Sequence, residues 1–252
     1  MATYNRKMNS SRKRLWVLIV VLIVVLALLI AGTILAIHLT GGQDAPVPVQ
    51  PTAPQVTRPQ LETHKELQLN LGYGLMATQV GSYTGAYVED GSNEFVSGVL
   101  MLRVTNNGEQ DVQYAEIDMQ LAEGTAKFQL SSLPVGKTVI LLEQNRLAWD
   151  QNEEYQYAIL TNPVLFPEPV SLHSQQLQLQ LLDGGLNVTN ISGQDITGDV
   201  VIYYKNAQQD LYYGGITYRA RLEGGMKAGE LKQIMGEHLR QGGTEIVFIT
   251  ME

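Results

Sequence analysis

The chain has 252 residues, no cysteine, and 25 acidic against 17 basic side chains, for a formal net charge of −8. The lack of thiols excludes disulfides, Cys-based zinc sites and a thiol nucleophile. All the acidic residues follow residue 37, and such an excess of negative charge argues against nucleic acid as a partner.

In chain order, residues 1–14 form a basic tail carrying Arg6, Lys7, Arg12, Lys13 and Arg14. Residues 15–37 then run without a charged side chain. A helix of that length covers about 34 Å, enough for a hydrocarbon core of ~30 Å, so the run predicts a transmembrane helix. The one-sided basic flank orients such an uncleaved signal-anchor as a single plasma-membrane span, with a cytoplasmic N-terminus and extracytoplasmic C-terminal domains. The alternative is a cleaved signal peptide ending near Ala31, Thr33 or Ala36.

Residues 38–60 hold Pro46, Pro48, Pro51, Pro54 and Pro59, which predicts an extended stalk. Beyond it the sequence predicts a first β-sandwich domain over 61–162, a joint at 163–170 marked by Pro163, Pro167 and Pro169, and a second β-sandwich over 171–252. β-Branched or alternating runs at 98–104, 116–121, 138–142, 155–160, 176–182, 199–204, 215–222 and 244–251 read as strands, separated by Gly-containing turns. Only residues 230–240, with Leu231, Ile234, Met235, His238 and Leu239, carry helical spacing, which predicts a short helical turn.

The two regions repeat one another. Leu102-Arg-Val-Thr-Asn-Asn-Gly-Glu-Gln-Asp-Val112 aligns without gaps on Leu186-Asn-Val-Thr-Asn-Ile-Ser-Gly-Gln-Asp-Ile196. Further on, Leu133-Pro-Val-Gly-Lys137 lies opposite Met226-Lys-Ala-Gly-Glu230, after about nine extra residues in the second copy. Asn and Asp at strand ends bond local backbone, so what the copies share is turn chemistry. The fold class expected is mainly β, tandem Ig-like sandwiches after one transmembrane helix and a stalk, with one larger fused sandwich as the alternative.

Residues 190–199, Tyr203 to Asn206, 213–218, 228–230 and 246–249 together resemble a family of uncharacterised single-pass, membrane-anchored surface proteins of Gram-positive anaerobic bacteria with β-rich ectodomains. The resemblance implies a cell-surface location and an Ig-like fold, and it brings no activity or functional residues.

Chemistry-bearing residues are sparse. A Ser–His–Asp arrangement would need His173 or His238, and no Gly-x-Ser-x-Gly or His-Glu-x-x-His motif is present. The acidic runs 89–94 and 150–154 are rich in oxygen ligands but lack EF-hand spacing. No catalytic residue, cofactor or metal site is therefore expected. Tyr203, Tyr204, Tyr212, Tyr213 and Tyr218 fall on two adjacent strands, where they would make either cross-strand pairs or a recognition strip. The function expected is a non-enzymatic, membrane-anchored surface protein binding an envelope protein or a cell-wall glycan. An accessory subunit of a membrane complex is the alternative, and an extracytoplasmic hydrolase the remote one.

Overall fold

The computed structural model describes residues 60–252 apart from Gln156, and these lie within one compact unit, Val56–Glu252. Every regular element described is a strand: β1 (Gln60–Gly72), β2 (Leu75–Ala86), β3 (Phe95–Asn106), β4 (Val112–Gln120), β5 (Thr125–Leu133), β6 (Thr138–Leu142), β7 (Ala158–Leu165), β8 (Leu177–Leu182), β9 (Gly185–Asn190), β10 (Val200–Gln208), β11 (Leu211–Leu222), β12 (Leu231–Met235) and β13 (Thr244–Met251).

The internal repeat is a repeat of topology. In the first copy β2-β3-β6 faces β5-β4-β7, and in the second β8-β9-β12 faces β11-β10-β13. Numbered within each copy, strands 1-2-5 face strands 4-3-6, a pairing consistent with Ig-like domains. The copies are nonetheless not separate. β6 pairs in parallel with β11, aligning Thr138–Ile140 with Leu211–Tyr213, and so joins two half-sandwiches into a sheet of order β1-β2-β3-β6-β11-β10-β13.

Side-chain alternation shows where the two smaller sheets sit. Tyr203 and Tyr204 are neighbours on β10, yet Tyr203 packs in the core under β4 and β5 while Tyr204 packs in the core under β8 and β9. Successive strand residues point to opposite faces, so the small sheets cover opposite faces of the shared sheet. β3 is apolar on both faces for the same reason. Leu100, Leu102 and Val104 enter the first core, and Val99 and Met101 enter a third cluster with Tyr83, Tyr87 and Ile140.

Three expectations need correction. Tandem sandwiches standing apart are replaced by two copies sharing one sheet, because an edge of each is completed by the other. Residues 230–240 do not turn helically: β12 pairs with β9 from Leu231↔Thr189 to Met235↔Gly185, which buries Ile234 and exposes Leu231 and Met235. The pairing on the sheet overrides the helical spacing. The membrane anchor at 15–37 and the stalk at 38–60 fall outside the described residues. No helix among the described residues is long and apolar enough to cross a membrane, since their apolar side chains alternate along strands to fill sandwich cores. The single-span topology, the signal-anchor, the membrane as a partner and the plasma-membrane location thus gain no footing in the structure, and they are not carried further.

The repeated Asn–Asp motif does the same work twice. Asn106 and Asn190 are fully buried. Asn106 Nδ2 donates to the carbonyls of Gln110 and Leu133, and Asn190 Nδ2 to those of Gln194, Met226 and Lys227. Asp111 accepts from Val135 N and Asp195 from Ala228 N, both at 2.8 Å. Asp111 also accepts from Val170 N at 2.8 Å and so ties down the connector between the copies. Orphaning a buried N–H costs about 1–3 kcal/mol. Asp111→Ala is therefore expected to lower stability by about 1–3 kcal/mol more than Asp195→Ala, measured by urea denaturation of both variants.

Candidate functional site

The most polar interior of the molecule lies where the copies meet. On β11 the pairing with β10 jumps from Tyr213↔Asn206 to Tyr218↔Tyr204, which leaves Gly214 to Thr217 opposite Lys205 alone. Such a wide bulge turns its peptide groups away from the ladder, and each needs another partner. Lys205, fully buried, supplies one: its Nζ donates to the carbonyls of Ile216 at 2.8 Å, Gly215 at 3.1 Å and Gly214 at 3.4 Å. Glu89, arriving after β2, supplies the other. Its carboxylate accepts from Gly215 N and from Leu142 N on β6, both at 2.7 Å.

The first copy closes over the bulge through β5. Ser131 Oγ donates to the Gly215 carbonyl at 2.7 Å and lies 2.9 Å from Thr217 Oγ1. Gly214 has φ +86°, and a Cβ on Gly215 would fall 1.7 Å from the Gln129 carbonyl oxygen, so both positions require glycine. A second polar tie sits at the other end of the junction. Lys137 pairs with Glu245 at 2.7 Å, and the buried Tyr212 donates to the same carboxylate at 2.9 Å.

Burial sets the protonation of the central pair. Desolvation pushes the Glu89 carboxyl well above the usual carboxylate range, opposed by its backbone hydrogen bonds and by Lys205. Desolvation likewise pushes the Lys205 ammonium far down, opposed by Glu89.

Glu89 also lines a cleft of about 210 Å³ with Tyr87, Asp90, Gln129, Gln144 and Arg146. The Arg146 guanidinium lies over the Tyr87 ring, 4.5 Å from its centroid, and donates to Glu94 at 2.7 Å and Asp90 at 3.1 Å. The loop beneath is organised by the buried Glu143, whose carboxylate accepts from the backbone N–H groups of Lys127, Asn145 and Leu147. The acidic run 89–94 is thus an arginine clamp and a bulge ligand. In the run 150–154, Asp150 accepts from Asn152 N and Glu153 from Ala122 N. Among the described residues, no three His, Cys, Asp or Glu side chains are grouped to hold a metal ion.

The five tyrosines singled out in the sequence are divided among three cores. Tyr204 and Tyr212 are buried, Tyr203 stacks on Phe248 with ring centroids 4.1 Å apart, and Tyr213 packs beside Tyr83. Tyr218 stacks between Tyr204 and His238. His238 is otherwise bonded to the Asn93 amide, and His173 to Gln176, so neither histidine stands in a hydroxyl–carboxylate relay. The Glu89–Lys205 lock was not foreseen. Its signals were a lysine inside the apolar strand 200–204 and the Gly214-Gly215 pair on the strand that follows.

No protein-family model, curated protein or solved structure matches this chain. The resemblance to membrane-anchored surface proteins is corrected accordingly: it finds no match to support it, and the described structure, β throughout, forms no anchor.

The opposed shifts of Glu89 and Lys205 give a pH signature. A raised acid loses its contribution to stability as pH rises through its folded value, and a depressed base loses its contribution as pH falls through its folded value. Lys205→Met leaves only the raised carboxyl, so that variant is expected to melt higher at roughly pH 5 than at roughly pH 9. Glu89→Gln leaves only the depressed ammonium and is expected to show the reverse order, with both read from thermal unfolding across that range. Each should cost about 3–5 kcal/mol at its worse pH, as expected when one partner of a buried pair is removed. Gly215→Ala should cost about 3 kcal/mol at any pH, because its clash is with backbone and does not titrate.

Proposed function

We propose that this chain is a non-enzymatic interaction scaffold, a two-copy β-sandwich that holds its surfaces in a fixed relation and acts by presenting them. The observation that carries this reading is the internal satisfaction of the charged groups at the junction. Both Glu89 oxygens hold backbone N–H groups, Lys205 holds three carbonyls, and Arg146 holds two carboxylates. A general base or nucleophile needs a free lone pair within reach of a substrate. These groups direct their bonding capacity inward, where it fixes one copy against the other.

The parallel β6–β11 pairing supports rigidity, since relative motion of the copies would expose the edges of both strands and break the bulge contacts to β5. Pulling the chain between handles at Gln60 and Glu252 is expected to give one event in which both copies come apart together. Two separable events, each releasing about half the chain, would count against a fixed scaffold. Chromogenic ester, phosphate and glycoside hydrolysis should not respond to Glu89→Gln. A rate that falls by about tenfold or more in that variant would point to an enzyme instead.

A further inference from the structure

The repeat makes β12 the counterpart of β6. Lys137 corresponds to Glu230, so Thr138–Ile140 of the first copy corresponds to residues 231–233 of the second. Inside the chain that edge of β6 is covered by Leu211–Tyr213, whereas β12 ends its sheet, which has the order β12-β9-β8. The second copy thus repeats the edge that the first copy uses for its junction, and it leaves that edge open.

The open edge has a definite register. Asn190 N donates to Glu230 O and Gly236 N to Gly184 O, so the even-numbered residues of β12 bond toward β9. In an antiparallel ladder the alternate residues, Leu231, Gln233 and Met235, then direct their N–H and C=O groups outward. No hydrogen bond to those groups is found among the described residues. The same three residues place their side chains on the outer face. Leu231 is 58 % exposed and Met235 71 %, the latter the most exposed large apolar side chain described.

We propose that β12 pairs antiparallel with β12 of a second copy of this chain, about a twofold axis at Gln233. In that register Leu231 faces Met235 of the partner, Gln233 faces its own counterpart, and Lys232 faces Ile234, so no like charges are opposed. The residues brought opposite one another are those whose backbone groups point outward, which provides about six interchain hydrogen bonds. Both exposed apolar side chains gain a partner, and the contact is closed because the same patch serves both chains. No other occupant is suggested by the edge itself, whereas a second copy completes it residue for residue.

An inward-pointing charge on an edge strand commonly serves to prevent such pairing, and Lys232 is a candidate for that role. Its ammonium is already held by the Gly225 carbonyl at 2.6 Å and the Glu223 carbonyl at 3.4 Å. It closes the open end of the second sandwich and leaves the edge free to pair.

The proposal names a partner for the scaffold and rests on that reading only for the permanence of the edge. The pulling experiment reads the junction, and the test here reads β12. The chain has no cysteine, so Gln233→Cys introduced into the full chain gives a single thiol on the twofold axis. Mild oxidation is expected to give a disulfide-linked dimer about tenfold faster than Gln180→Cys, which lies on the far edge of the same sheet, because paired strands hold their Cα atoms within bridging distance. Added to Gln233→Cys, the changes L231K and M235K together should abolish the cross-link by opposing like charges, while L231K with M235E should restore it. Failure of Gln233→Cys to exceed the Gln180→Cys control would overturn the proposal. Equal loss in both charged backgrounds would overturn it as well, since the antiparallel register alone makes the second pair complementary.

Discussion

The structure depends on one strand pairing of an unusual kind. Two antiparallel sandwiches of the same design meet through a parallel contact of three residues, Thr138–Ile140 against Leu211–Tyr213. A parallel ladder this short is weak in itself. Its persistence depends on the bulge immediately after it, where Gly214 to Thr217 leave the β10 ladder and turn their peptide groups toward Lys205, Glu89 and Ser131. Glu89 spans the seam directly, since one of its oxygens holds an N–H of β6 and the other an N–H of β11.

A buried pair of this sort is a specificity device more than a source of stability. Taking both charges out of water costs several kcal/mol per ion, and only good geometry together with additional hydrogen bonds offsets it. Here the additional hydrogen bonds go to backbone groups that the bulge would otherwise leave unsatisfied. An apolar pair of similar volume would remove the desolvation cost and leave those carbonyls and N–H groups orphaned. The charged residues are therefore tied to the bulge, and the bulge to the junction.

Much of the fold was legible in the sequence because period-two alternation and turn residues are local signals. The run 98–104 is apolar on both faces, and β3 is covered on both. The repeated Val-Thr-Asn and Gln-Asp pairs announced turns, and Asn106 and Asn190 occupy corresponding places. What failed was non-local. The spacing of Leu231, Ile234 and Met235 fits a helix as well as a strand with one buried residue, and only the pairing with β9 decides between them. The tyrosines on β10 and β11 gave no sign of the bulge, which resets the alternation between Tyr213 and Tyr218 and distributes them among different cores. Nor could Lys205 be matched with Glu89, 116 positions earlier, from the sequence of either strand.

The difference between the copies accounts for their union. Between the repeated Asp and the later Gly turn, the second copy carries about nine residues more than the first. Those residues lie within the β10–β11 hairpin, which turns at Gln209 and Asp210, both at positive φ as a tight two-residue hairpin requires. Shared between two arms, the insertion extends the hairpin by roughly 13 Å at ~3.3 Å per residue. The pairing segment Leu211–Tyr213 sits at the tip of that extension, with the bulge just behind it. The first copy's hairpin, β4–β5, lacks the extension, and β5 lies under the bulge instead of reaching for another edge. A single lengthened hairpin thus converts two repeats of one sandwich into a shared sheet. The same asymmetry leaves β12 without the strand that its counterpart β6 receives.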